Sequence, residues 1–135
     1  MPWYHNPHTG GQKIPPAVRD RTTARLVRYA NEHHGGKFTR IDVRFRGALC
    51  YIDAFTDPGR LHGEPPLGEN HQQWVERLQT TPTHLCRIRY FGDEERWSLA
   101  FYTYSNERYE PCFMPNGTFF GSPEEAFEVG ARYLG

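Results

Sequence analysis

The clearest pattern of apolar and polar positions lies between Phe38 and Arg46. Ile41, Val43 and Phe45 alternate with Arg40, Asp42, Arg44 and Arg46. A period of two sends successive side chains to opposite faces of a strand. One face of this strand is therefore suited to a core, and the other carries three arginines and one aspartate. The pattern predicts a sheet with one covered face and one wet, cationic face.

The rest of the chain supplies the partners of that strand. Pro15 and Pro16 open a helix in which Val18, Thr22, Leu26, Tyr29 and His33 recur at steps of three and four, and Gly35-Gly36 closes it. The cationic strand runs over about 37–46, turns at Gly47, and returns as a second strand over 49–55. This second strand is apolar on both sides, as in a central or doubly covered strand. Residues 56–68 hold three prolines and three glycines and read as a long surface loop. A short helix over about 69–79 is expected to bury Trp74 and Leu78. A meander follows, with strands over about 83–91, 96–104 and 108–114, and Pro111 marks the last as an edge. Ser122, Pro123 and Glu125 form the N-cap, first position and capping box of a final helix. Short connections imply antiparallel pairing. The predicted fold is α+β: an antiparallel sheet of about five strands, built as a hairpin plus a three-strand meander. An N-terminal and a C-terminal helix pack mainly on one face, with one short extra helix. Residues 1–14 read as an arm and 15–135 as a single domain.

Composition sharpens this picture in three ways. The hydrophobic share of 37% and aromatic share of 15% fit a folded chain with a core. Net charge is zero, yet residues 1–60 hold ten basic and five acidic side chains, and residues 61–135 hold six and eleven. A basic face that attracts an anionic partner is compatible with that asymmetry. Only two of the sixteen cations are lysines, and arginine suits planar, bidentate contacts to carboxylate or phosphate. Cys50, Cys86 and Cys112 are odd in number and widely spaced, which fits small buried hydrophobes in a reducing compartment. No apolar run reaches the ~20 residues that span a bilayer, and the opening residues lack the regions of a secretory signal. The expected location is the cytoplasm, without membrane attachment.

Strong catalytic signatures are missing. The sequence holds no glycine-rich phosphate loop, no paired helical histidines around a glutamate, no Cys-x-x-Cys and no nucleophile elbow. Two weaker arrangements remain. His5 and His8 could join His84 or Cys86 around a metal, although their spacing in an arm is unspecific. His84 and Cys86 stand two apart in a strand, which would put imidazole and thiol on one face and allow a reactive thiolate. Cys86 shares its parity with Ile88 and Tyr90 and so reads as core. No cofactor and no metal are expected.

The arginine face is the better candidate. Arg40, Arg44 and Arg46 should lie near Arg87 and Arg89 of the meander, with Tyr51, Tyr102 and Tyr104 between them. Such a face can hold an acidic protein segment. It can equally hold single-stranded nucleic acid through phosphate contacts and base stacking. Cross-strand pairing of these arginines with Asp42, Asp53, Glu107 and Glu110 would leave a solvated surface with no ligand.

The opening Met-Pro-Trp-Tyr-His-Asn-Pro-His-Thr-Gly-Gly-Gln-Lys-Ile-Pro-Pro, the segment Phe-Arg-Gly-Ala-Leu-Cys-Tyr-Ile-Asp-Ala and the closing Phe-Phe-Gly-Ser-Pro-Glu-Glu-Ala-Phe are similar to stretches of a group of small uncharacterised bacterial proteins. The resemblance covers nearly the whole chain. It implies a bacterial, cytoplasmic, single-domain protein and brings no activity, ligand or site residue with it. The functional expectation therefore rests on the residues: a non-enzymatic protein-binding or self-associating module, or alternatively a single-stranded nucleic-acid binder using the same face. A small enzyme or metal site at His84, Cys86 or the N-terminal histidines is the third expectation.

Overall fold

The computed structural model describes residues 9–56 and 67–134. Its sheet has the strand order β1 (Arg40–Arg46), β2 (Leu49–Phe55), β3 (Thr83–Tyr90), β4 (Trp97–Thr103), β5 (Arg108–Cys112), all antiparallel. A two-residue β6 (Phe120–Gly121) pairs with β4 beside the end of β5. From β1 to β5 each strand pairs with the next in sequence, so these five form a continuous meander. The turn between β1 and β2 needs a left-handed residue, and Gly47 supplies it with a φ of 59°.

Two helices cover one face. Helix α1 (Pro16–His34) begins with proline at its first position and buries Val18, Thr22, Leu26 and Ala30, a stripe at steps of four. It packs on β1 and on α3 (Pro123–Gly130). Helix α3 starts at the capping box predicted from Ser122 and Glu125, and it packs on β3 and β4. Their shared core holds Trp97, Phe127, Leu26, Ile52, Leu85 and Ile88, all fully buried. Each such aliphatic side chain stabilises the fold by roughly 1.5–3 kcal/mol on transfer values.

Helix α2 (His71–Thr80) has its own capping box at Asn70 and Gln73. It packs only lightly, against β2, and most of its residues are exposed. Trp74 is consequently half-buried, not buried as the periodicity predicts. The Leu78 side chain, the loop residues 57–66 and residues 1–8, with Trp3, Tyr4, His5 and His8, lie outside the described residues.

The described part of the N-terminal arm lies on the body. The Gln12 N–H donates to the Tyr90 carbonyl at 2.9 Å, and the Ile14 N–H donates to the Gly47 carbonyl at 3.0 Å. Ile14 is fully buried. A Cβ at Gly11 would sit 2.6 Å from the Tyr90 carbonyl oxygen, so glycine is required for this close approach. The described part of the arm thus runs past the end of β3, where Gln12 meets Tyr90 and Ile14 enters the core.

Candidate functional site on the outer sheet face

Strand register sets the layout of the sheet face away from the helices. Arg44 lies opposite Tyr51, and Tyr51 opposite Arg87. One row over, Arg46 lies opposite Leu49, and Leu49 opposite Arg89. Arg40 stands at the far end of β1, opposite Phe55. The five arginines singled out from the sequence therefore occupy one face of β1 and β3, with Tyr51 between them.

Most of these guanidinium groups have an aromatic partner. That of Arg40 sits 4.2 Å from the Phe55 ring centre, that of Arg44 5.3 Å from Tyr51, and that of Arg87 5.3 Å from Tyr109. Arg89 donates from Nη1 to the Gly10 carbonyl at 2.9 Å. Burial, and then the charge of Arg87, lower its pKa from the usual guanidinium value. Among the described residues, Arg44 alone of the five has carboxylate partners.

Those partners are Asp42 at 3.5 Å and Asp53 at 2.7 Å. Among the described residues, Asp53 is the only charged residue that is buried, at 1% exposure. An unpaired carboxylate there would cost several kcal/mol. Asp53 avoids that cost by using both oxygens: Oδ2 accepts from Nη2 of Arg44, and Oδ1 lies 2.8 Å from Nδ1 of His84. A charge on β2 is thereby held from β1 on one side and β3 on the other.

His84 reaches Asp53 because β3 is irregular. Ile52 pairs with Cys86 and Asp53 with His84, which leaves Leu85 as an extra residue with no partner on β2. A bulge of this kind bends the strand and re-aims the side chains beyond it. Leu85 and Cys86 both turn into the core at 0% exposure, and His84 joins the Asp53 face. This corrects the sequence expectation that His84 and Cys86 share a face. Strict alternation fails at the inserted leucine. Burial pushes the Cys86 thiol pKa well up, so the pair is not arranged as an activated thiolate.

Three tyrosines complete the neighbourhood. Tyr102 pairs with Tyr109 across β4 and β5, with ring centres 5.1 Å apart, and its ring lies 4.7 Å from that of His84. Tyr104 follows the last residue of β4. Its hydroxyl accepts the His84 N–H at 2.7 Å, where β4 no longer offers a backbone partner. Tyr109 was not singled out from the sequence. Its position opposite Tyr102 follows from the register of the Ser105–Glu107 turn, which was legible. Its hydroxyl is buried and has no hydrogen-bond partner. Burial, then the nearby Asp53 charge, push its pKa up.

Between these groups lies an open cleft of about 540 Å³, whose walls include Arg44, Arg46, Tyr51, His84 and Tyr109. Among the described residues, no group of three or more His, Cys, Asp or Glu side chains could hold a metal ion, and no helix is long and apolar enough to cross a membrane. Compared with protein families, with curated proteins and with solved structures, the chain matches none of them.

Proposed function

We propose that the protein is a binding module whose outer sheet face receives an acidic segment of a partner protein. The observation that carries this reading is the charge inventory of the face. Arg40, Arg46, Arg87 and Arg89 have no carboxylate partner among the described residues, whereas the arginines on α1 facing the β3–β4 turn do: Arg21 pairs with Glu94, and Arg25 with Glu95 and Glu124. The arginines that join α1 to its neighbours thus have acids opposite them. On the outer face Arg40 and Arg87 are held by rings and Arg89 by the Gly10 carbonyl, which lowers the entropy lost when a carboxylate binds.

The same rings weigh against single-stranded nucleic acid. Bases need open aromatic faces to stack on. Here Arg44 lies over Tyr51 and Arg87 over Tyr109, while Tyr102 meets Tyr104, Tyr109 and His84.

Fluorescence anisotropy of a labelled Asp/Glu-rich peptide and of a labelled single-stranded oligonucleotide, each at two salt concentrations, separates the two. The peptide is expected to bind, and the double variant Arg46→Ala/Arg87→Ala to lose that binding with an unchanged melting curve. Oligonucleotide binding that exceeds peptide binding and collapses with salt overturns the proposal in favour of nucleic acid. Sedimentation velocity shows whether a second copy, acidic in its C-terminal half, serves as the partner.

A further inference from the structure

The cleft at the centre of the face has a specific imbalance. The buried acceptor behind its wall, the Asp53 carboxylate, is already used by Arg44 Nη2 and His84 Nδ1. The donors around it are not used up. Among the described residues, Arg46 is exposed and makes no ion pair, Arg44 meets Asp53 through Nη2 and leaves Nη1 without a partner, and the buried Tyr109 hydroxyl has no acceptor. Nδ1 of His84 is held by Asp53, so Nε2 is the ring nitrogen left for a ligand. Two guanidinium groups, a phenol and an imidazole nitrogen thus line one cleft; no carboxylate is among its lining residues, and Asp42 and Asp53 both stand against Arg44 beside it.

We propose that this cleft binds a phosphate monoester. A ligand that satisfies two guanidinium groups and a phenol from several directions needs several acceptor oxygens. A planar carboxylate offers two oxygens in one plane. A phosphoryl group offers three, and pairs of arginines bind it with charge-assisted bonds. With Nδ1 donating to Asp53, Nε2 presents its lone pair and can accept a hydrogen bond from the P–OH of a monoanionic ester. The volume of about 540 Å³ exceeds what the phosphoryl group fills and leaves room for the group that carries it, alongside Tyr51. This inference rests on reading the face as an anion receptor, and it gives that receptor a preferred chemical group: a phosphorylated side chain on the acidic segment, or a small phosphate ester.

The test is a two-dimensional amide NMR titration of the full chain with phenyl phosphate, with benzoate as the planar control. Phenyl phosphate is expected to shift the amides around Arg44, Arg46, Tyr51, His84 and Tyr109 and to bind at least about tenfold more tightly than benzoate. Arg46→Ala, an exposed site whose loss does not threaten the fold, should weaken it about tenfold, and Tyr109→Phe should weaken it without moving the melting temperature. Equal binding of benzoate, shifts spread over the arginines of α1, or indifference to both variants each overturn the inference. A phosphorylated and an unphosphorylated copy of one acidic peptide identify the source. Preference for the phosphorylated copy assigns the site to a peptide, and equal binding of the copies with retained phenyl phosphate binding assigns it to a small ester. If the acidic peptides bind but phenyl phosphate does not, the cleft inference fails and the reading of the face stands. If phenyl phosphate binds in the cleft but no peptide binds, the reading of the face as a protein receptor fails instead.

Discussion

Nδ1 of His84 lies 2.8 Å from Oδ1 of Asp53, and the two residues sit opposite each other on adjacent strands although helix α2 lies between them in the sequence. Arg44 closes the other side of the same carboxylate at 2.7 Å. The three residues tie β1, β2 and β3 together on the face away from the helices. Their grouping also fixes which donors remain for a ligand, so the structural and the binding roles of this centre are coupled.

Replacing Asp53 by Asn removes the charge that both neighbours need. It leaves the Arg44 and His84 contacts to a neutral amide, one end of which is a donor facing a donor. We expect Asp53→Asn to lower stability by about 2–3 kcal/mol, the range for hydrogen bonds to charged groups. Urea unfolding followed by circular dichroism measures it, and a loss under 0.5 kcal/mol would contradict the account of a buried, doubly used carboxylate.

Leu85 owes its place in the core to Gly130. A Cβ built at Gly130 would lie 2.8 Å from the Leu85 backbone carbon, its carbonyl oxygen and its Cβ. Two of those three atoms are backbone, so α3 would have to lift off β3. Helix propensity alone favours alanine over glycine by about 1 kcal/mol. We expect Gly130→Ala to destabilise nonetheless, by about 1–3 kcal/mol, the usual cost of overpacking. A stabilised variant in a thermal melt would show that α3 does not press on the bulge.

The meander and the two helices that cover it could be read in advance because their signals are local. Pro16, Ser122 with Glu125, Gly47 and the alternation of β1 each act within a few residues of themselves. The arginines fell on one face for the same reason, since parity alone places them. What parity could not deliver was His84. One inserted residue reverses the face of everything before it in the strand, and Leu85 looks like any other apolar residue in a row that reads His-Leu-Cys-Arg-Ile. The need for the bulge comes from α3, more than forty positions later, where Gly130 makes room for Leu85. Trp74 was misjudged for a related reason: an apolar stripe predicts a buried face only if another element covers it, and α2 is only lightly covered.

Acid should weaken the packing of α1 against α3 and the β3–β4 turn. The Arg21 hydrogen bond holds the Glu94 pKa below its ordinary value. At Glu124, burial raises the pKa, but the Arg25 hydrogen bond and charge outweigh it and the net shift is downward. The Tyr29 hydroxyl does the same for Glu128, helped by His34. A carboxyl whose folded pKa is depressed contributes stability that is complete above its unfolded value and disappears as pH falls through the folded one. The melting temperature should therefore be flat just above the ordinary carboxylate value of 4.5 and fall below it. Arg25→Ala should cost about 1–2 kcal/mol at neutral pH, between exposed and buried ion pairs, and should make the acid slope shallower. A melting temperature indifferent to pH between about 5 and 2 would refute the assignment of these acids as partners.

The cysteines offer the sharpest test of the bulge, because a thiol reports its own burial. Cys50 and Cys86 are fully buried, and burial raises both pKa values, so each is protonated and shielded in the folded chain. Cys112 lies half-buried on edge strand β5, with its pKa raised mainly by burial and partly lowered by a backbone hydrogen bond from Phe101. A thiol reagent at neutral pH should therefore label one cysteine slowly, identified by peptide mass as Cys112. Cys50 and Cys86 should react only when denaturant is added, since thiolate and access are both required. If Cys86 were labelled in the folded protein as fast as Cys112, the strand would run without the irregularity. His84 and Cys86 would then share an open face after all, and Asp53 would lose the partner that organises the cleft.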